Sequence, residues 1–351
     1  MSVKGVFLLN LGTPDGAGPN RGFGQGPTTK EVRRYLREFL MDPYVVDIPA
    51  IARWLLVHAV ILPRRPARSA EAYRKIWTQR GSPLLVHLDD LVAGVSARLG
   101  AGYKVVGGMR YGNPSIEKAF QELKTAGVEE VRVIPLYPQY SLAATESSIE
   151  ECRRVVRKIA PALKLSFQPP FYGESVFLDA FAAVARKSME DGHDHLIFSF
   201  HGLPERQVKK TDPTGRHCLA SEKCCDQMTK ANVNCYRAQC FATARGLASR
   251  LGVSEDSYSI GFQSRLGVTP WIRPYTDHLY AELAARGHKR VVVMCPAFVA
   301  DCLETLEEVA IRGNEQFRSL GGEWLRLIPS LNSAPEWVDA VAHLVQAEVQ
   351  S

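Results

Sequence analysis

The chain lacks any stretch that reads as a membrane span. Its most apolar segment, residues 45–63, is interrupted by Asp47, Arg53 and His58, whereas a spanning helix needs about 20 consecutive, mostly apolar residues. Residues 1–5 enter a strand-like run at once, with no basic region, apolar core and small-residue cleavage site. A secretory signal is therefore not expected, and a cytoplasmic location is. The net charge of +6 comes without a dense Lys/Arg stripe, which argues against nucleic acid as a partner. The glycines of residues 16–27 are not followed by Gly-Lys-Ser/Thr, so they make a loop rather than a phosphate cradle. Cysteine is sparse outside one region: Cys152, Cys295 and Cys302 are scattered, and the other five are Cys218, Cys224, Cys225, Cys235 and Cys240. In a chain without a signal peptide such a cluster points to metal binding rather than to disulfides.

What is present is a globular composition, 46% hydrophobic and 23% charged over 351 residues, enough for two domains with real cores. Strand-like runs at residues 6–9, 105–108, 131–136, 195–200 and 291–295 alternate with helical patterns at 31–39, 84–99 and 114–126. Strands separated by helices predict a parallel, doubly wound α/β sheet. A weak repeat is visible as well. Residues 127–135 parallel 287–296: each leaves a helix at glycine, runs a strand and breaks at proline, and an acidic helix follows at 146–151 or 304–308. Two similar α/β halves with a cleft between them are expected.

The most informative words surround His201. Leu196-Ile197-Phe198-Ser199-Phe200 is an apolar strand that stops at His201, and Gly202 and Pro204 prevent strand or helix from continuing at once. Chemistry in open α/β sheets sits at such carboxyl ends of strands, and a neutral imidazole there takes a proton or a metal ion near pH 7. A core histidine at a strand end is the equally weighted plain reading. If residues 303–311 form a helix, Glu304, Glu307 and Glu308 share a face, with Asp301 extending the acidic line; a solvated helix face is the plain alternative. Packing in the core is the plain reading for Tyr111, Trp271 and Tyr275. The five clustered cysteines offer a four-sulfur site for zinc or an iron–sulfur cluster, although two Cys-x2-Cys knuckles are missing.

Ile197-Phe198-Ser199-Phe200-His201-Gly202-Leu203-Pro204 resembles the signature of ferrochelatases, which insert ferrous iron into a porphyrin. Further matching segments follow in order: Leu8-Leu9-Asn10-Leu11-Gly12-Thr13-Pro14, Gly81-Ser82-Pro83-Leu84, Met109-Arg110-Tyr111-Gly112-Asn113-Pro114, Pro135-Leu136-Tyr137-Pro138-Gln139-Tyr140-Ser141, Gln263-Ser264-Arg265-Leu266-Gly267, Pro270-Trp271, Pro274-Tyr275-Thr276-Asp277 and Asp301-Cys302-Leu303-Glu304-Thr305-Leu306-Glu307-Glu308. No one of these decides the matter; the ordered set, from about Gly5 to the C-terminus, does.

The resemblance implies two Rossmann-like domains of the chelatase fold, residues 1–170 and 171–330, with the active-site cleft between them, a cysteine-rich insertion at 214–240, and a C-terminal helix at 335–349 packed back on the first domain. It implies Fe2+ as substrate, protoporphyrin as its acceptor and protohaem as product, with coproporphyrin as an alternative substrate and a non-catalytic iron–sulfur or haem sensor as an alternative function. The sensor reading expects loss of His201 or Glu304, and both are present. By the same resemblance His201 is the essential histidine and Glu304 faces it. Glu308 and Asp301 then continue an acidic path for protons or metal, while Glu307 is expected to face outward. Arg110 would pair with a propionate, and Tyr111, Trp271 and Tyr275 would lie against the macrocycle, with Tyr73, Arg74, Lys75 and Trp77 near the rim. Where the family often has histidine, this chain has Cys302, which puts any shuttle role at that position in doubt. Residues 45–65 correspond to an apolar lip, so peripheral contact with a membrane is expected there. Many ferrochelatases carry a 2Fe–2S cluster bound partly by cysteines near the C-terminus. This chain has none after Cys302, so four of Cys218, Cys224, Cys225, Cys235 and Cys240 are expected to hold one, with one of the adjacent pair Cys224 and Cys225 spare.

Overall fold

The computed structural model describes residues 3–16, 26–265, 267 and 269–347; most of the glycine-rich segment 16–27 lies outside these, as do Leu266 and the last residues of the expected C-terminal helix. The chain separates into two compact units, one of Met1–Tyr137, Leu142–Pro169 and Val338–Ser351, the other of Pro138–Ser141 and Pro170–Trp337.

In the first unit, β1 (Lys4–Gly12) pairs in parallel with β2 (Tyr103–Tyr111) and β3 (Glu130–Pro135), and β4 (Lys164–Phe167) pairs with β3. The second unit repeats the plan with β5 (His195–His201), β6 (Tyr258–Gln263), β7 (Arg290–Met294) and β8 (Trp324–Leu327). The strand orders are β2-β1-β3-β4 and β6-β5-β7-β8, the same winding twice. β1 and β5 are the central, nearly unbroken apolar runs, because a parallel strand covered by helices on both faces has no solvent side to alternate toward.

One core packs Phe7, Leu9, Val131 and Val133 against Phe120 and Leu123 of the helix Ile116–Thr125 and Val155 of the helix Ser147–Ile159. The other packs Ile197, Val291 and Val293 against Leu279, Tyr280 and Leu283 of the helix Thr276–Ala285. Phe171, Phe177 and Phe181 form edge-on contacts in the second unit, with Trp337 against the first two. The last helix, Pro335–Gln346, belongs to the first unit from Val338 onward.

Among the described residues three segments wind as π-helix: Leu56–Ile61, Leu142–Glu146 and Leu303–Gly313. Such i→i+5 winding is uncommon and concentrates at functional sites. The second and third follow β3 and β7, the corresponding strands of the two sheets. The apolar stretch expected at 45–63 is a broken helix, Ala50–Leu55 continuing through the first π segment into Leu62–Ile76. No described helix is long and apolar enough to cross a membrane.

Candidate active site

In the order β6-β5-β7-β8 the chain winds one way from β5 to β6 and the other way to β7, so the carboxyl ends of β5 and β7 flank the topological switch point where α/β sheets bind ligands. His201 is the last residue of β5, and the π segment Leu303–Gly313 is the first helix after β7. The turn after His201 is tightly specified. Gly202 N–H donates to the Gln263 carbonyl at 2.8 Å, and a Cβ on Gly202 would stand 2.9 Å from that oxygen, so only glycine fits. Pro204 bridges to Trp271, and Glu205 N–H donates to the Pro270 carbonyl at 3.0 Å.

The His201 ring is half-buried and edge-on to Phe298, 6.3 Å between centroids. Its Nδ1 lies 2.6 Å from the Gly202 carbonyl oxygen. A carbonyl only accepts, so Nδ1 carries the hydrogen and Nε2 presents the lone pair.

The acidic side is built by the π winding. In an α-helix Glu304, Glu307 and Glu308 would share a face; with the wider turn, residues four apart stay nearly in line and residues three apart do not. Glu304 and Glu308 are close enough that each carboxylate's charge bears on the other, and His201 lies within electrostatic reach of Glu308. Burial pushes the Glu308 carboxyl up, the Ser264 hydrogen bond opposes this, and the neighbouring Glu304 adds to it. Glu307 does not face outward as expected: it is 5% exposed, and Arg312 Nε donates to it at 2.8 Å.

Asp301 stands just before the π segment. It is buried, and its carboxylate accepts from Thr305 Oγ1 at 3.0 Å, Asn332 Nδ2 at 2.8 Å and Ser330 N–H at 3.3 Å. These bonds anchor the start of the π segment. The Cys302 thiol is hydrogen-bonded to Glu304 and pushed well up by burial, which makes it a neutral neighbour, unsuited to shuttling protons.

Trp271 and Tyr275 belong to the same unit. Tyr275 O–H donates to the Trp271 carbonyl at 3.3 Å, and the guanidinium of Arg265 stands 4.2 Å over its ring. The Trp271 ring packs on Gly202.

Arg110 and Tyr111, at the end of β2 in the first unit, do not match their expected roles. Tyr111 is fully buried, and its hydroxyl donates to Asp42 Oδ2 at 2.8 Å. A ring with no exposed face cannot lie against a macrocycle. Arg110 pairs with that same carboxylate, donates to Ser147 Oγ at 2.8 Å, and stacks over Tyr111. Its charge is already matched by a buried partner, so it is not a free propionate ligand. In the same unit, Tyr73 is buried and stands edge-on to Trp77.

The insertion has almost no regular structure until Cys235, which caps the helix Tyr236–Leu251. Asp212 organises its start by accepting from the amides of Thr214, His217 and Cys218, and these bonds, Cys218 foremost, hold its carboxyl well below the usual range. Asn232 closes the far side through the carbonyls of Cys224 and Gln227. All five cysteines are buried and free. Cys235 is hydrogen-bonded to Cys218 and Cys225. The sulfurs of Cys224 and Cys225, one of which was expected to be spare, are 3.6 Å apart. Cys240 is hydrogen-bonded to Tyr236 instead. Among the described residues no group of three or more His, Cys, Asp or Glu side chains stands in a metal-holding arrangement. The insertion does reach the active-site loop, since Tyr236, the neighbour of Cys235, donates its hydroxyl to the His201 carbonyl at 2.9 Å.

Gln263, Ser264, Tyr236 and Asp42 received no role from the sequence. The first two sit inside a family-like segment, which was the available signal. Tyr236 and Asp42 carry none that composition or spacing reveals.

Comparison with known proteins places the chain in a family. The chain is 48% identical over 345 residues to the ferrochelatase of Azotobacter vinelandii, covering 98% of each. It is 47% identical to that of Stutzerimonas stutzeri over all of both chains, and 44% identical to that of Coxiella burnetii, covering 99% of this chain and 94% of the relative. Among solved structures, SirB from Bacillus subtilis with Fe3+ superposes with a TM-score of 0.53 at 11% identity, covering 98% of this chain and 94% of that one, a likeness of fold alone. The family profile for ferrochelatase matches residues 3–349, and the chain belongs to the ferrochelatase family.

Proposed function

We propose that this ferrochelatase inserts Fe2+ into protoporphyrin to give protohaem using His201 as base and transient donor, with Glu304 and Glu308 on the acidic side. The reaction is redox-neutral: Fe2+ takes the place of two pyrrole N–H protons, which must leave. One observation carries the reading. The Nδ1–H of His201 is tied to the Gly202 carbonyl, leaving Nε2 as the basic atom of a ring within electrostatic reach of Glu308, which itself neighbours Glu304. A general base needs its lone pair aimed rather than merely present. Glu308, pushed up by burial, holds a proton more readily than an exposed carboxylate does, which suits a group that takes a proton and passes it on. Trp271 and Tyr275, half-buried beside the His201 loop, offer apolar surface for a macrocycle.

The test is an anaerobic absorbance assay with Fe2+ and either protoporphyrin or coproporphyrin. His201→Ala is expected to abolish insertion while porphyrin still binds; normal turnover by that variant would sink the assignment. Faster turnover of coproporphyrin would move the substrate to the more carboxylated class.

The insertion is read as the site of a 2Fe–2S cluster. Its donor chemistry fits: five buried thiols, four of them, Cys218, Cys224, Cys225 and Cys235, linked by contacts. Arg237 Nη1 stands 3.1 Å from the Cys225 sulfur and opposes the Cys235 hydrogen bond and the burial that push that thiol up. When bound, the cluster would cross-link a loop that has little core of its own. Anaerobically purified protein is expected to be reddish-brown, with about two irons and two labile sulfides per chain; colourless protein holding one zinc would replace the cluster with a zinc site.

A peripheral membrane contact is read at residues 45–65, where Ile51, Trp54, Leu55 and Val60 are 79%, 52%, 51% and 49% exposed and Arg64, Arg65 and Arg68 follow. A neighbouring group of large apolar side chains in water is the kind of patch that meets a partner or a lipid surface. Co-sedimentation with anionic vesicles, lost in Trp54→Glu, tests it.

A further inference from the structure

Glu304 and Glu308 lie on a π segment, and π winding is not what this sequence would adopt as an isolated helix. Two consecutive residues at the end of β6 hold it. Gln263 is 5% exposed, and both ends of its side-chain amide are engaged. Its Nε2 donates to the main-chain carbonyl of Glu304 at 2.9 Å, and its Oε1 accepts from Ser199 Oγ at 2.6 Å, two residues before His201. Its own carbonyl accepts from Gly202 N–H at 2.8 Å. One side chain and one peptide thus tie the base of the His201 loop to the backbone of Glu304. Ser264 is the other half. Its φ is +67°, a left-handed conformation that a residue with a Cβ adopts only at a cost. In that conformation both its N–H, at 2.9 Å, and its Oγ, at 2.6 Å, donate to the two carboxylate oxygens of Glu308. Unfavourable backbone geometry that aims two donors at one functional group is the pattern of strain retained for function.

We propose that Gln263 and Ser264 are positioning residues for metal insertion, Gln263 fixing the backbone of Glu304 against the His201 loop and Ser264 fixing the carboxylate of Glu308. This rests on the roles proposed above for Glu304 and Glu308. Neither residue needs to touch iron or porphyrin; each acts through a carboxylate-bearing residue, as supporting shells do around metal ligands.

The experiment compares Ser264→Gly, Ser264→Ala, Gln263→Glu and Glu304→Gln, measuring kcat and KM for Fe2+ insertion anaerobically, porphyrin affinity by fluorescence quenching, and the thermal midpoint. Both Ser264 variants are expected to lose roughly 10- to 100-fold in kcat, the usual cost of removing a supporting hydrogen bond, with porphyrin affinity unchanged. Their stabilities should diverge, because glycine takes positive φ freely and alanine does not; Ser264→Gly should melt at or above the parent. Gln263→Glu accepts from Ser199 but cannot donate to the Glu304 carbonyl, and should lose kcat in the same way. If turnover follows the thermal midpoint, so that Ser264→Gly works as well as the parent, Ser264 is only structural and the proposal fails. If Glu304→Gln turns over normally, the underlying reading of the site fails instead.

Discussion

Replacing Arg110 separates two readings of the end of β2. Asp42 is a nearly inaccessible carboxylate, its side chain 3% exposed, and Arg110, 15% exposed, is its cationic partner. Arg110→Met keeps the length of the side chain and removes the charge, leaving an ionised group in the interior. Breaking a buried pair in this way costs about 3–5 kcal/mol. The low end applies here, since Tyr111 O–H at 2.8 Å, Ser147 Oγ at 2.6 Å and Tyr44 N–H at 2.7 Å still donate to Asp42. For a unit of this size about 3 kcal/mol corresponds to roughly 6–12 °C in the melting midpoint. Arg110→Met combined with Asp42→Asn should recover most of that, because the double change leaves no unmatched charge; the coupling from the cycle should be about 2 kcal/mol or more. Differential scanning calorimetry and urea titration of the four proteins measure it. A propionate-binding Arg110 would do the opposite: Arg110→Met would melt like the parent and show a several-fold higher KM for porphyrin. That result would refute the argument from burial.

Three further outcomes are expected. Glu307→Gln should destabilise the protein by about 1–3 kcal/mol, since it removes the charge from a buried partner of Arg312, while leaving per-molecule turnover near the parent's; a loss of kcat comparable to that of Glu304→Gln would mean the π register is misread. Burial foremost, with His288, Arg286 and His193 adding, holds the His195 imidazole down at about 4. Its folded value lies below the ordinary 6.5, so the unfolded chain takes up a proton first: stability is full above about pH 6.5, falls by up to about 2 kcal/mol toward pH 4, and falls no further on this account. His195→Gln should flatten that slope in urea titrations at stepped pH, and an unchanged slope would assign it to other groups. Among the cysteines, the proposed cluster predicts that Cys235→Ser bleaches the colour and lowers activity through Tyr236 and the His201 carbonyl, whereas Cys240→Ser keeps the colour; the reverse would exchange the ligand assignment.

The strand-end histidine, the two-half plan and the parallel sheets were legible because they rest on local signals: continuous apolar runs, glycine and proline breaks, and a repeated order of both. The outer strands β4, β6 and β8 were not singled out: β4 and β8 are only four residues long, and β6 has no continuous apolar run. The acidic helix was seen, but its period was taken as that of an α-helix. That assumption placed Glu307 with Glu304 and Glu308, whereas the π turn sends it inward to Arg312. Tyr111 and Arg110 stand in a family-like segment, and nothing in residue type distinguishes a buried pair with Asp42, 68 positions away in sequence, from a ligand contact. The cysteine density was legible; its internal connections were not, because Asp212 and Asn232 organise that loop through backbone amides and carbonyls without any periodic pattern.

The two sheets make the placement of the chemistry an argument in itself. Gly5 pairs with Val131 in one and His195 with Val291 in the other, so the position of His201, six residues along β5, corresponds to Leu11 in β1. The π segments correspond as well: Leu142 begins one and Leu303 the other, which sets Ala143 against Glu304 and Ser147 against Glu308. The fold therefore provides the same switch point twice, with the same strand order and the same unusual helix after the third strand. Only the second copy carries an imidazole and two carboxylates there. In the first, Ser147 donates to Asp42 at 2.6 Å, and that carboxylate, Arg110 and Tyr111 satisfy one another in the interior. Geometry common to both halves cannot by itself account for activity; in the proposed reading the side chains at Leu11 and His201, and at Ala143 and Glu304, make the difference. Winding as π-helix occurs in both halves, and the proposal puts the chemistry on the one that carries the acidic pair.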